Sequence, residues 1–193
     1  TEIEDGIFAN PKELTYIDKK AKNIILLIAD GMSLSQITAY RMMKGSLNER
    51  ISMDNFPYSG IVLTHSYNAA VTDSASSATA YSTGFKTNNG VLGLDKDLNV
   101  LENLTETIDK FGFVSSLIST SEVTHATPAA FASHVDLRWK TDIISSQMID
   151  SKVATILGGG RYFFIPEEEG GKREDGRNPV SYTHLRAHET ACY

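Results

Sequence analysis

The sequence predicts an α/β protein built around a parallel, doubly wound sheet. Short apolar runs that are typical of strands alternate along the chain with segments of helical period. An aspartate, a serine and a threonine follow three of these runs, at the end where the chain leaves each predicted strand. Because the carboxyl ends of parallel strands meet at one edge of such a sheet, we expect these residues to converge on one site.

Four apolar runs predict the strands. They are residues 23–29, 59–66, 113–120 and 153–157. The first, NIILLIA, is continuous and rich in β-branched residues, which indicates a strand buried on both faces. Helical periodicity predicts helices over residues 34–43, 74–82, 101–111 and 142–149. A further helix is expected to begin with Thr127 as its N-cap and Pro128 as its first residue.

Length and charge bound the function classes. The chain has 193 residues, enough for one domain with a core or for part of a larger domain. Its formal net charge of −6 gives no support to a nucleic-acid partner or an anionic membrane surface. No apolar run approaches the length of a membrane span. Residues 1–22 are polar, show no signal-peptide pattern and are interpreted as a lead-in.

The last fourteen residues, 180–193, are interpreted as non-native. They begin VSYTHLRAHET, which resembles one reading frame of a transposon sequencing adapter and has no helical or strand period. The only cysteine, Cys192, lies in this segment, so no disulfide framework is expected. His184 and His188 are excluded as ligands for the same reason.

Residues 71–93, VTDSASSATAYSTGFKTNNGVLG, are nearly free of large aliphatic side chains. Ser74 follows Asp73 directly, and the Ala/Ser run after it is compatible with a helix that Gly84 ends. A helix that begins at Ser74 would present free backbone N–H groups and the positive end of its dipole, which favours a phosphate or another anion. The alternative is a helix whose small residues only allow a neighbour to approach closely.

Three further residues are candidates for chemistry. Asp30 follows the first apolar run and is a turn residue by default, although a carboxylate at a strand end can bind a hard cation. Thr127 is by default a helix cap. Arg138 carries a planar, permanently charged fork that suits two phosphate oxygens, and its ordinary alternative is a surface arginine.

Ser74 needs activation, because a serine hydroxyl is a weak nucleophile. His65 on the preceding predicted strand could act as its base. Direct coordination of the serine oxygen by a metal ion is the other route, and the sequence leaves both open.

Three separated motifs resemble those of alkaline phosphatases. They are IADGMS around Asp30, VTDSASSATAYSTGFKTNNGVLG around Ser74, and HATPAAFASHV followed by Arg138. The sequence LGGG at residues 157–160 also fits, so the resemblance runs from about residue 23 to residue 160. It implies that residues 23–179 are the N-terminal part of a single catalytic domain, an incomplete three-layer α/β/α sandwich.

The resemblance also implies a role for each matching residue. Ser74 corresponds to the nucleophile that forms a phosphoserine, and Arg138 to the arginine that binds the phosphate oxygens of the substrate. Asp73 corresponds to the acidic neighbour that positions this arginine and so takes part in substrate binding.

The metal positions follow from the same motifs. Asp30 corresponds to the carboxylate that bridges a zinc and a magnesium ion, Ser74 to a zinc ligand, and Thr127 to a magnesium ligand. His125 stands where some members have aspartate, which makes it a possible ligand of the third metal. Two zinc ions and one magnesium ion are expected for the full-length enzyme.

The resemblance implies phosphomonoester substrates, a periplasmic or extracellular location, and a homodimer for the full-length protein. Most zinc ligands of the family lie in its second half, so we expect this chain to be inactive by itself. The alternatives are a phosphodiesterase or sulfatase relative of the same superfamily, or an inert fragment with no catalytic role.

Overall fold

The structure is a computed structural model that describes residues 21–45, 48 and 50–179. The chain forms two compact units, Thr1–Val62 and Leu63–Tyr193. The predicted adapter-derived tail and residues 1–20 of the lead-in lie outside the described residues.

The first unit contains the predicted helix α1, Leu34–Met43. A capping box begins it: the Ser33 hydroxyl accepts from the Ser35 amide at 3.2 Å, and the Gln36 side chain accepts from the Ser33 amide at 2.9 Å. A short 3-10 helix, Ser52–Asn55, follows. Arg41 in α1 forms a two-pronged ion pair with Asp54 in that helix.

The strand predicted over residues 23–29 is wrong, because this segment has no regular secondary structure. Ile24 and Ile25 are each 85% exposed, although they lie in the most apolar run of the chain. A strand of this kind is held by hydrogen bonds to neighbouring strands and by packing on both faces, and the described residues supply neither to this run. Its apolar composition is therefore insufficient to fix its conformation.

The second unit contains a parallel pair of strands, β1 (Ser115–Glu122) and β2 (Val153–Gly159). The register pairs Leu117 with Ile156 and Ile118 with Leu157. The connection between the strands carries two helices, α4 (Ala126–Ala129) and α5 (Thr141–Asp150). This strand–helix–strand unit confirms the predicted α/β class.

The strand predicted over residues 59–66 is wrong for the same reason as the first one. These residues have no regular structure, and Ile61 is 98% exposed. Both remaining predicted strands are present in the sheet, with β1 displaced by two residues from its predicted position.

Two more helices precede the sheet in the second unit, α2 (Ser74–Thr83) and α3 (Leu104–Asp109). The first matches its prediction, and Gly84 caps its end with a φ of +81°. The second is shorter than predicted, because Asn103 caps it: the Asn103 side chain accepts from the Glu106 amide at 3.0 Å.

The core of the second unit is rich in alanine where α2 meets α4. Ala75 and Ala78 of α2 and Ala126 and Ala129 of α4 are almost completely buried. Small side chains let the two helices approach closely, as the packing interpretation of residues 71–93 expects. It does not compete with a role for the start of α2, because the alanines lie on the buried side of the helix. Among the residues that the structure describes, no helix is long and apolar enough to cross a membrane.

Candidate functional site at the start of α2

Asp73 and Ser74 occupy the first positions of α2. Asp73 is the N-cap, and its carboxylate accepts from the Ser76 amide at 2.9 Å and from the Ser76 hydroxyl at 3.0 Å. Ser74 is the first helical residue and is half-buried. The local sequence explains this start, because aspartate is among the strongest N-cap residues and small side chains follow it.

The turn at residues 88–90 holds this cap from the other side. The Gly90 amide donates to the Asp73 carboxylate at 3.1 Å. The Asn89 side-chain oxygen accepts from the Asp73 amide at 3.2 Å and from the Ser76 hydroxyl at 2.9 Å. The contact between Asn89 and Asp73 cannot be read from the sequence, because the two residues are sixteen positions apart.

Arg138 reaches the same carboxylate. Its Nη1 donates to Asp73 Oδ2 at 3.1 Å, and its Nη2 lies 3.0 Å from His125 Nε2. The Arg138 backbone is fixed as well, because its amide donates to the Gly90 carbonyl at 2.8 Å. The guanidinium side chain is only 12% exposed, so the ordinary alternative of a surface arginine is wrong.

The Asp73 carboxyl has a pKa below its ordinary value. Burial is the largest single influence and raises this pKa, because it disfavours the charged form. Hydrogen bonds from Ser76, Gly90 and Arg138 together outweigh burial and lower it. The carboxylate is therefore ionised at neutral pH and balances the charge of the arginine.

The guanidinium keeps donors for a ligand. An arginine has five N–H groups, of which one points to Asp73 and one to His125. No further hydrogen bond to this guanidinium is seen among the described residues, and two of its other three N–H groups are sufficient for two oxygens of a phosphate. The site thus combines a fixed positive charge with the serine-bearing start of a ten-residue helix, both anchored on Asp73.

The His125 ring contacts Arg138 through its Nε2. Because a guanidinium only donates, the His125 Nε2 must accept, and the proton of the neutral ring is assigned to Nδ1. In this arrangement neither ring nitrogen offers a lone pair to a metal ion. The predicted role of His125 as a ligand of the third metal thus requires its contact with Arg138 to break.

Thr127 is not the N-cap of α4, which corrects the sequence-based expectation. The helix begins at Ala126 after an extended His125, and the Ala129 amide donates to the His125 carbonyl at 3.0 Å. Pro128 fits the third helical position, since the amide it lacks would have no partner inside the helix. Thr127 is half-buried on the first turn, in the same segment as His125.

Asp30 belongs to the first unit, where it occupies an exposed turn before α1. Its predicted position beside Ser74 therefore stays a prediction. His65 is exposed, and its backbone carbonyl accepts from Lys86. Its predicted role as a base for Ser74 stays a prediction.

Between residues 21 and 179, as far as the structure describes them, no group of three or more His, Cys, Asp or Glu side chains could hold a metal ion. A zinc site needs three or four protein ligands, and the described residues do not gather such a group of these four residue types. The roles of Asp30, Ser74, Thr127 and His125 as metal ligands stay predictions.

The fold and the site define a class: an α/β protein in which an arginine and a serine hydroxyl lie at the start of one helix, as a candidate site for an oxyanion. Comparison with known proteins gives the family. The sequence model of the alkaline phosphatase family matches residues 21–190, and the chain belongs to this family.

Curated relatives and solved structures agree with this assignment. Alkaline phosphatase 4 of Bacillus subtilis is 33% identical over an alignment 200 positions long. The alignment covers 92% of this chain and 43% of that protein. The alkaline phosphatase of the Antarctic bacterium TAB5 superposes with a TM-score of 0.76 at 33% identity, covering 84% of this chain and 45% of that one. A variant of the TAB5 enzyme, with a histidine replaced by aspartate and magnesium bound in its M3 site, also superposes on this chain. The TM-score is 0.75 at 33% identity, and the match covers 82% of this chain and 43% of that one. The chain thus spans less than half the length of these relatives.

Proposed function

We propose that the full-length protein hydrolyses phosphomonoesters through a phosphoserine on Ser74. The observation that carries this proposal is the position of Arg138, which is nearly buried, paired with an ionised Asp73, and fixed beside the helix start that bears Ser74. Arg138 would bind non-bridging phosphate oxygens. The Ser74 oxygen would then form a bond to phosphorus while the bond to the leaving-group oxygen breaks, and water would later cleave the phosphoserine.

The residues of this chain contribute charge and orientation to that reaction. Charge accumulates on the phosphoryl oxygens during transfer, and a guanidinium held in place by Asp73 stabilises it without having to reorient. The N-terminus of α2 adds favourable partial charge at the same place. Two zinc ions and one magnesium ion remain a proposal for the full-length protein, because the described residues do not supply their ligands.

Trapping of the phosphoenzyme tests the role of Ser74. Full-length protein is incubated with a ³²P-labelled phosphomonoester, quenched in acid and analysed by peptide mapping. We expect label on Ser74, and Ser74→Ala should remove it and lower kcat at least about a thousandfold. Ser77→Ala on the same helix is the matched control and should keep the label. Label on another residue, or label that survives Ser74→Ala, contradicts the proposal.

The chain by itself is expected to lack activity, because its described residues gather no group of three or more His, Cys, Asp or Glu side chains for a metal centre. The purified 193-residue chain should not hydrolyse p-nitrophenyl phosphate above background when zinc and magnesium are supplied. Metal-dependent turnover by this chain would contradict the expectation. A periplasmic or extracellular location and a homodimer are further proposals for the full-length protein, which fractionation of the source cells and its mass in solution would test.

A further inference from the structure

The only tryptophan of the chain, Trp139, lies next to the phosphate-binding candidate. The guanidinium carbon of Arg138 is 5.0 Å from the centre of the Trp139 ring, which is a cation–π contact. This contact does not bury the indole, because Trp139 remains 72% exposed. A large aromatic ring of this exposure beside a nearly buried charge is unusual, since tryptophan is mostly buried in folded proteins.

The backbone on both sides of Trp139 is fixed. The preceding residue, Arg138, donates its amide to the Gly90 carbonyl at 2.8 Å. The Trp139 carbonyl accepts from the Thr141 amide at 2.9 Å, at the first residue of α5. The indole is therefore presented from an anchored turn, so a ligand would meet it without having to order the loop first.

The neighbours of Arg138 contact its guanidinium group in two different ways. Asp73 and His125 meet guanidinium nitrogens in hydrogen bonds, whereas Trp139 offers only an aromatic surface. If a phosphomonoester binds the other N–H groups of Arg138 through its phosphate oxygens, its ester substituent is the part that can contact the indole of Trp139. Planar substituents gain most from such a surface, because they stack on it and remove apolar area from water on both sides.

We propose that Trp139 is a specificity-determining residue that favours phosphomonoesters with a planar aromatic group directly on the ester oxygen. This inference rests on the proposed role of Arg138 in phosphate binding. Trp139 takes no part in bond making or breaking. It adds stacking energy to the binding of aryl phosphates and nothing comparable to that of alkyl phosphates.

Binding measurements on the 193-residue chain test the inference without requiring activity. Inorganic phosphate, ethyl phosphate and phenyl phosphate are titrated separately and followed by ³¹P NMR, with Trp139 fluorescence as a second signal for the unsubstituted chain. We expect phenyl phosphate to bind about three- to tenfold more tightly than ethyl phosphate, the range that one aromatic contact contributes. The ratio of the two dissociation constants is the readout, since a change in overall folding does not favour one ester over the other.

Two substitutions separate stacking from bulk. Trp139→Leu should bring the phenyl-to-ethyl ratio close to one, and Trp139→Phe should retain most of the preference. Phe85→Leu is the matched control: Phe85 is an exposed aromatic residue with no described contact to Arg138, and its loss should leave the ratio unchanged.

The outcomes distinguish this inference from the function on which it rests. If the chain binds phosphates through Arg138 with no preference for the phenyl ester, or if Trp139→Leu keeps the preference, the role of Trp139 is wrong and that of Arg138 stands. If the unsubstituted chain binds none of the three, or Arg138→Gln binds them as well as the unsubstituted chain, phosphate binding by Arg138 is wrong and the inference fails with it.

Discussion

Residues 71–93 and residues 23–29 differ in how far their own side chains fix the backbone. The first segment contains its own hydrogen-bond partners. Asn89 and Gly90 each bond to Asp73. The buried Thr79 hydroxyl donates to the Val91 carbonyl at 3.1 Å and accepts from the Gly93 amide at 3.0 Å. The second segment is apolar and mostly exposed, and it has no regular secondary structure. Polar groups close in sequence can fix a fold within about twenty residues, whereas an apolar strand depends on neighbours that its own sequence does not contain.

The close packing around the first segment gives the largest expected effect, at Gly93. This residue has a φ of +61°, and a Cβ there would lie 2.5 Å from the Ser133 carbonyl oxygen and 2.6 Å from His134 Nδ1. Gly93→Ala combines a left-handed backbone with a clash against main chain, so we expect a loss of about 3 kcal/mol in the free energy of unfolding. Urea unfolding followed by Trp139 fluorescence measures it.

Gly84 provides the matched control for this prediction. Its φ is +81°, and a Cβ there would meet nothing within 4 Å. Gly84→Ala should therefore cost only the backbone term, about 1 kcal/mol. Equal losses at the two positions would show that residues 71–93 are not held closely against residues 133–134.

The next largest expected effect on stability comes from removing the charge of Asp73, the N-cap of α2. Asp73→Asn keeps a side chain that can cap α2 but removes the charge that faces Arg138. We expect a loss of about 2 kcal/mol at neutral pH, because a charged hydrogen bond is lost and the buried guanidinium loses its counter-ion. A loss below about 0.5 kcal/mol would contradict the pairing.

The dependence on pH sharpens the test of Asp73. Its pKa is lower in the folded state than in the unfolded state, so its contribution to stability is present above the unfolded value of about 3.9 and disappears as the pH falls through the folded value. The difference in unfolding free energy between the unsubstituted chain and Asp73→Asn should be constant from pH 7 to about pH 5 and shrink below about pH 4. Other paired carboxylates titrate in both proteins, so the difference isolates Asp73.

Local signals account for what the sequence predicted correctly. The helix predicted over residues 34–43 is present with those bounds, and the helix that Gly84 was predicted to end starts at Ser74 as expected. The caps that begin the two helices and the glycine that ends α2 each depend on a few adjacent residues. Two of the four strands, over residues 23–29 and 59–66, failed because strand pairing is a property of distant partners.

The candidate site also contains residues that the sequence indicates and contacts that it does not. Motifs indicated Asp73, Ser74 and Arg138. The structure shows Arg138 hydrogen-bonded to Asp73, which directly precedes Ser74 at the start of α2, and the roles of the three residues stay predictions. The hydrogen bonds that Asn89 and His125 make to the site join residues far apart in sequence, and no periodicity or spacing indicates them. Asp30 lies in the other unit, so its part in the site stays a prediction.

The smallest expected effect tests the exposed segment directly. Ile25→Val removes one methyl group from a side chain that is 85% exposed, and Ile144→Val removes the same group from a side chain in the core of the second unit that is completely buried. Burial decides the cost, so we expect about 1 kcal/mol at Ile144 and no more than about 0.3 kcal/mol at Ile25. Urea unfolding followed by circular dichroism compares the two variants. A loss at Ile25 as large as that at Ile144 would mean that the apolar run is buried in solution, and the contrast between the two segments would then disappear.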